Sequence, residues 1–305
     1  MHVRLRGRWA LPLLLIPSLA APTFAQEDAQ EERAHFHHVR LNVTDPQATL
    51  DFYRRFLGAV EVSYRGLKPA LFTERSFLLL NKVEEPARSG PRTAISHIGW
   101  AGIDGPNEYE WLESQGVEFQ TPVTPLGTNH FMYLYGPDHE LIEIFTGGKH
   151  HRFDHVHLWA SDIAASASWF GDHLGFDTRV LAEPKTRNKD DLGSLWMAFL
   201  QADNVNLVFF GRPDFESDWW PGSNYSKEEG PKGALEPTLG SVVDRLGFSY
   251  SDIDRVYERM KAAGVEIVEE IKTRDYGFRS FLVLAPDDLL IEIVEEKHLP
   301  EGLWD

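Results

Sequence analysis

His38-Val39-Arg40-Leu41-Asn42-Val43-Thr44-Asp45 and His155-Val156-His157-Leu158-Trp159-Ala160-Ser161-Asp162 are one eight-residue pattern written twice, 117 residues apart. The same offset carries Phe52-Tyr53 onto Trp169-Phe170 and Leu57-Gly58 onto Leu174-Gly175. A fixed offset that preserves a His, an Asp, an aromatic pair and Leu-Gly marks an internal duplication, the feature to establish before any local reading. Further on, Pro137-Asp138-His139-Glu140-Leu141-Ile142-Glu143-Ile144 matches Pro286-Asp287-Asp288-Leu289-Leu290-Ile291-Glu292-Ile293 at offset 149, and His97-Ile98-Gly99-Trp100 matches Arg245-Leu246-Gly247-Phe248 at offset 148.

Each copy divides once more. His97 to Asp104 has the seven-residue His-to-Asp spacing of His38 to Asp45, so four units begin at 38, 97, 155 and 245. Within the first, His38 to Val43 is short, alternating and β-branched, as a strand is. Asp45-Pro46 then supplies an N-cap and a first-turn proline. Leu50, Tyr53, Phe56 and Leu57 recur at helical spacing, and Gly58 ends the helix. Three short strands follow. The fold class expected is α+β: four βαβββ units forming two half-open eight-stranded modules with helices outside. The segments are a first module at 36–148 and a second at 152–297, the latter with an insertion around 211–244 rich in Gly, Pro, Ser and Trp. A stretch of that kind suits a lid, a binding loop or disorder, with Trp219-Trp220 either covering a pocket or packing the insertion onto the sheet.

The first 25 residues are of another kind. Arg4, Arg6 and Arg8 precede an apolar run from Trp9 to Ala21, and Thr23-Phe24-Ala25 puts small residues at its first and third positions. That is the three-part form of a signal peptide, too short for a comfortable membrane span. Residues 26–35 are then a flexible mature N-terminus, and the protein is expected to be exported, periplasmic or secreted, with no membrane attachment once the signal is removed. The formal net charge of −17 argues against phosphate-backbone binding, so no nucleic-acid partner is expected. The chain has no cysteine, which excludes disulfides, thiolate ligands and cysteine nucleophiles. Any metal must be held by histidine and carboxylate.

A His-initiated strand, an Asp-capped helix with an aromatic pair and Leu-Gly, and a Pro-Asp-x-x-Leu-Ile-Glu turn and strand together resemble the vicinal oxygen chelate superfamily of glyoxalases, bleomycin-resistance proteins and extradiol dioxygenases. The resemblance covers about residues 36 to 296. It implies a divalent metal held by His38, His97 and Glu143, with Fe(II) favoured and Mn(II), Zn(II) or Ni(II) as alternatives. Two imidazoles and one carboxylate on one face of a metal leave positions open for a substrate with adjacent oxygens. The resemblance further implies a ring-cleaving dioxygenase in which Tyr133 hydrogen-bonds the substrate and His130 moves a proton. A glyoxalase-type lyase or isomerase, or a ligand-sequestering protein without chemistry, are the other readings. The carboxylate that glyoxalase I carries on the last strand of its first unit is missing, since that strand reads Phe77-Leu78-Leu79-Leu80-Asn81.

Arg245 stands where the second half needs a His, so that half reads as degenerate, and His37, His150, His151 and His157 read as surface or hydrogen-bonded residues. An alternative pairing stays open. If the second unit joined the third, His97, Glu143 and His155 would converge, and His38 would face Arg245 and Glu292. The partner expected is a small molecule, for a monomer or homodimer.

Overall fold

The computed structural model describes residues 32–64, 67–74, 76–86, 92–181, 197–211, 234–274 and 278–296. The signal-peptide reading of 1–25, residues 26–31 of the flexible N-terminus, Trp219-Trp220 and most of the 211–244 insertion lie outside these residues.

Four βαβββ units are present. The first comprises β1 (His35–Val43), α1 (Pro46–Phe56), β2 (Val60–Tyr64), β3 (Leu67–Thr73) and β4 (Ser76–Lys82). The second comprises β5 (Ile95–Ala101), α2 (Gly105–Ser114), β6 (Phe119–Leu126), β7 (Asn129–Tyr135) and β8 (Leu141–Phe145). The third comprises β9 (Arg152–Ala160), α3 (Ile163–Leu174), β10 (Thr178–Leu181), β11 (Met197–Ala202) and β12 (Val205–Gly211). The fourth comprises β13 (Val243–Tyr250), α4 (Ile253–Ala262), β14 (Glu266–Thr273), β15 (Arg279–Ala285) and β16 (Leu289–Glu295).

Local chemistry explains each unit. An aspartate caps every helix: Asp45 accepts from the Gln47 and Ala48 amides, Asp104 from Asn107, Asp162 from Ala165 and Asp252 from Arg255. Each such cap satisfies amides left over in the first turn and contributes about 1 kcal/mol. Gly175 closes α3 at φ 78°, a left-handed conformation that glycine adopts without strain.

The units do not pair as the modules 36–148 and 152–297 would suggest. One eight-stranded sheet runs β14-β15-β16-β13-β1-β4-β3-β2, joining the first unit to the fourth; the other runs β10-β11-β12-β9-β5-β8-β7-β6, joining the second to the third. We call them sheet I and sheet II. The expected eight-stranded sheets are both present, with different membership. The physical reason is that β1 and β5 each leave one edge unsatisfied after pairing inside their own unit, and any equivalent strand completes that edge with the same ladder. Here β1 takes β13 in antiparallel register, with His38 opposite Gly247 and Arg40 opposite Arg245. β5 takes β9, with His97 opposite His157 and Gly99 opposite His155.

One continuous apolar core joins both sheets and all four helices, with Leu50, Leu112, Phe170 and Met260 each buried from a different helix. Phe36 of sheet I stacks on Phe153 of sheet II at 5.6 Å, and the buried Trp100 donates its indole N–H to the Leu57 carbonyl at 3.2 Å. Between the sheets Tyr53 on α1 donates to the buried Glu140 in the β7–β8 turn at 2.8 Å. The segment before β1 is engaged as well: the Ala34 amide donates to the Leu174 carbonyl at 2.8 Å, and Glu32 accepts from Ser251. Thus Glu32 to His35 belong to the packed body rather than to a flexible arm.

Candidate metal centre

Sheet II curls into a half-open cup whose floor is β9 and β5. Alternation along a strand puts His155 and His157, two residues apart, on one face of β9. The antiparallel register brings His97 beside His157, and the parallel β5–β8 register puts Glu143 beside Gly99, which faces His155. Four side chains therefore converge. The ligand atoms of His97, Glu143, His155 and His157 all lie within 4.8 Å of one another. Glu143 Oε2 is 2.9 Å from His97 Nε2, 2.9 Å from His155 Nε2 and 3.9 Å from His157 Nδ1.

Two of the imidazoles are oriented from behind. Asp154 Oδ2 is 3.2 Å from His155 Nδ1, and Ser96 Oγ is 3.0 Å from His97 Nδ1. A partner on Nδ1 fixes the ring and presents Nε2 to the cluster, the support that ligating histidines generally have. Gly99 is the steric condition for this arrangement, since a Cβ there would stand 2.0 Å from His155 Nε2.

Charge in the cluster is coupled. Burial alone would raise the Glu143 carboxyl, but hydrogen bonds from His155 and His97 hold it well below the usual range. Burial alone would lower His155, yet Asp154 and Glu143 together lift it to about 9. Burial lowers both His97 and His157, which favours the neutral form that can ligate. Ligation through His155 Nε2 requires its proton to leave, so metal uptake falls as pH is lowered.

Of the residues the sequence nominates, His97 and Glu143 meet here and His38 does not. His38 lies in sheet I, fully buried, with Nε2 3.5 Å from Glu292 Oε2 and Nδ1 2.8 Å from His37 Nδ1. Around Glu292 gather Arg245 at 2.8 Å, Ser280 at 2.7 Å and Arg274 at 3.4 Å, while Asp244 holds the other side of Arg245 at 2.8 Å. Burial alone would raise Glu292, but His38 and the Arg245 charge hold it well below the usual range. Guanidinium groups cannot ligate a cation, so this second cup is an ion-pair cluster. The open alternative of the sequence, second unit with third, is the arrangement present.

Tyr133 pairs with Glu143 across the ladder, and its ring lies edge-on to His97 at 5.0 Å. His130 lies elsewhere. Three residues from Tyr133 on one strand, it falls on the opposite, helix-facing side, where its Cβ is 2.7 Å from the position of a Cβ on Gly105. Its backbone bonds to Thr146, and its side chain does not reach the cup.

His155 enters the cluster through the alternative pairing, and His157, which reads from sequence as a surface or hydrogen-bonded residue, lies in it as well. One signal for them was present. Arg40 occupies in the first unit the position of His157 in the third, and a guanidinium beside a divalent cation is unfavourable. A strand carrying His155-Val156-His157 is therefore the better partner for His97.

The family model described as Glyoxalase/Bleomycin resistance protein/Dioxygenase superfamily matches residues 35–144 and 152–293. Comparison with curated proteins yields no match. Among solved structures, glyoxalase I from Zea mays is similar with a TM-score of 0.62 at 16% identity, covering 86% of this chain and 92% of that one. A proposed dioxygenase from Bacillus subtilis is similar with a TM-score of 0.58 at 13% identity, covering 89% and 87%. At these identities the likeness is one of fold.

Proposed function

Since the chain belongs to the Glyoxalase/Bleomycin resistance protein/Dioxygenase superfamily, we propose that the sheet II cup holds one divalent metal ion and serves a metal-dependent enzyme acting on a small molecule with vicinal oxygens. The observation that carries this is the convergence of His97, Glu143 and His155, joined by His157, in a buried cluster. The donor chemistry fits: neutral imidazole nitrogens and a carboxylate, with no thiolate in the chain, suit Fe(II), Mn(II), Zn(II) or Ni(II). Such an ion supplies Lewis acidity to paired substrate oxygens. His97, His155 and Glu143 would provide three donors, two of them held in orientation by Ser96 and Asp154. Tyr133, beside Glu143 and edge-on to His97, orients the substrate by a hydrogen bond from its hydroxyl.

Ring-cleaving dioxygenase chemistry with Fe(II) is the favoured reaction, supported by the two-His, one-carboxylate face and the neighbouring phenol. A lyase or isomerase working through an enediolate is the second reading, favoured by His157, which brings the protein donors to four as a non-redox site permits. Protein purified anaerobically and reloaded with Fe(II) is expected to consume oxygen with simple catechols and give the ring-opened product. Turnover of an α-hydroxycarbonyl substrate without oxygen uptake would move the assignment to the lyase. Full metal loading with neither activity would leave a ligand-sequestering protein.

We also propose that residues 1–25 direct export. N-terminal sequencing of the protein from a periplasmic or culture fraction is expected to begin at Gln26; an intact Met1 in the cytoplasm overturns it.

A further inference from the structure

The last strands of the first and third units bring no carboxylate. In the second unit, Glu143 is the register partner of Gly99, two residues beyond His97. The corresponding position in the third unit is Val208, partner of His157, and in the first unit Leu79, partner of Arg40. Val208 cannot ligate. Its neighbour His157, on the same face as His155, takes up that corner of the cup.

His157 differs from the other two histidines. Ser96 and Asp154 restrain His97 and His155, whereas among the described residues no hydrogen bond restrains His157. Its side chain is 17% exposed, against 5% and 6% for theirs, so it stands at the open side of the cup. Two donors on one metal, each about 2.0–2.2 Å away, are separated by roughly 4.4 Å at most. His157 Nδ1, 3.9 Å from Glu143 Oε2, is inside that limit. The Phe210 ring lies 5.0 Å from it, an apolar surface on which a rotated imidazole can rest.

We propose that His157 is a displaceable fourth donor, capping the metal through Nδ1 in the resting protein and yielding its position when a substrate chelates through two oxygens. This rests on the metal reading of sheet II. It has a consequence for specificity. A ligand with one oxygen must replace an intramolecular donor by a single bond of its own, whereas a vicinal pair gains a second bond in the exchange. His157 thus selects for chelating substrates.

The test uses metal-stripped protein titrated with cobalt(II) chloride and read by visible absorption, in wild type and His157→Phe, with His157→Asn in reserve should the first not fold. The resting spectra are expected to differ, because the variant lacks a donor. Saturating catechol is expected to make them coincide, and catechol is expected to bind the variant about tenfold more tightly, since no donor has to leave. Coincident resting spectra overturn the proposal, as does a difference that survives catechol. If wild type takes up cobalt and His155→Ala does not, such a result removes only the role of His157. Failure of wild type to bind cobalt removes the metal reading as well.

Discussion

His155→Ala and Glu143→Ala will each abolish stoichiometric metal binding, whereas His38→Ala will leave it intact. Loss of one outer partner of a ligating histidine already costs 10–100-fold in affinity, so loss of a donor is expected to cost at least about a hundredfold. Elemental analysis of protein reloaded with Fe(II) or Zn(II) reads the outcome directly. The contrast between two residues that begin equivalent strands is the point of the experiment. His155 Nε2 is 2.9 Å from Glu143, while His38 shares its cup with Arg40 and Arg245. Metal lost from His38→Ala and kept by His155→Ala would mean that the sheets pair as 36–148 and 152–297.

The second large effect concerns stability. Tyr53 donates to Glu140 Oε1 in the buried space between the sheets, and the Asp138 amide donates to Oε2 at 3.0 Å. Burial raises the Glu140 carboxyl to about 7 despite these donors. The folded state therefore binds a proton over a range in which the unfolded state has already released it. The sign follows: from about pH 4.5 to 7 this group lowers stability as pH rises, on the order of 3 kcal/mol across the window.

The duplication supplies its own control. At the equivalent positions the second half has Phe170 for Tyr53, Leu289 for Glu140 and Ala285 for Gly136, whose added Cβ would stand 2.1 Å from Glu140 Oε1. The polar pair is thus replaced by an apolar one that the same architecture accepts. Tyr53→Phe alone leaves a buried carboxyl short of a donor and is expected to cost about 1–3 kcal/mol at pH 7. Tyr53→Phe with Glu140→Leu is expected to cost less than the single change, because no buried carboxyl is then left short of a donor and only the partly exposed Asp138 amide loses its acceptor. It should also lose the decline between pH 4.5 and 7. Denaturant unfolding at several pH values measures both. A double variant as unstable as the single one would mean that the pair is held by packing rather than by its hydrogen bond.

Much of this architecture is legible in the sequence alone. The four units, the Asp caps at 45, 104 and 162, and the strand bearing Glu143 all follow from spacing and local chemistry. What sequence could not decide was which strand completes which edge. His38 and His155 are interchangeable in local pattern, and Gly99 or Gly247 would accommodate the ring of either. The difference lies in the residues two places on, Arg40 and His157, whose meaning depends on what stands beside them in the folded sheet. His130 failed for a simpler reason: its spacing of three from Tyr133 puts it on the other face of β7, which the alternation of Phe131, Met132 and Tyr133 already implied.

The pairing also gives the chain a nested order of completion. Sheet II is made from one uninterrupted stretch, β5 to β12, whereas β1 must wait for β13, some two hundred residues later by the separation of Arg40 from Arg245. During synthesis β5 emerges first, carrying the same kind of open edge, and an unpaired edge is a template for any compatible strand. The early rival of the native fold is therefore the union of β1 with β5. Contacts of high sequence separation form slowly, so closure of β5 onto β9, whose partners His97 and His157 stand 60 residues apart, fills the open edge of β5 before β13 arrives to meet β1 across the 205 residues between Arg40 and Arg245.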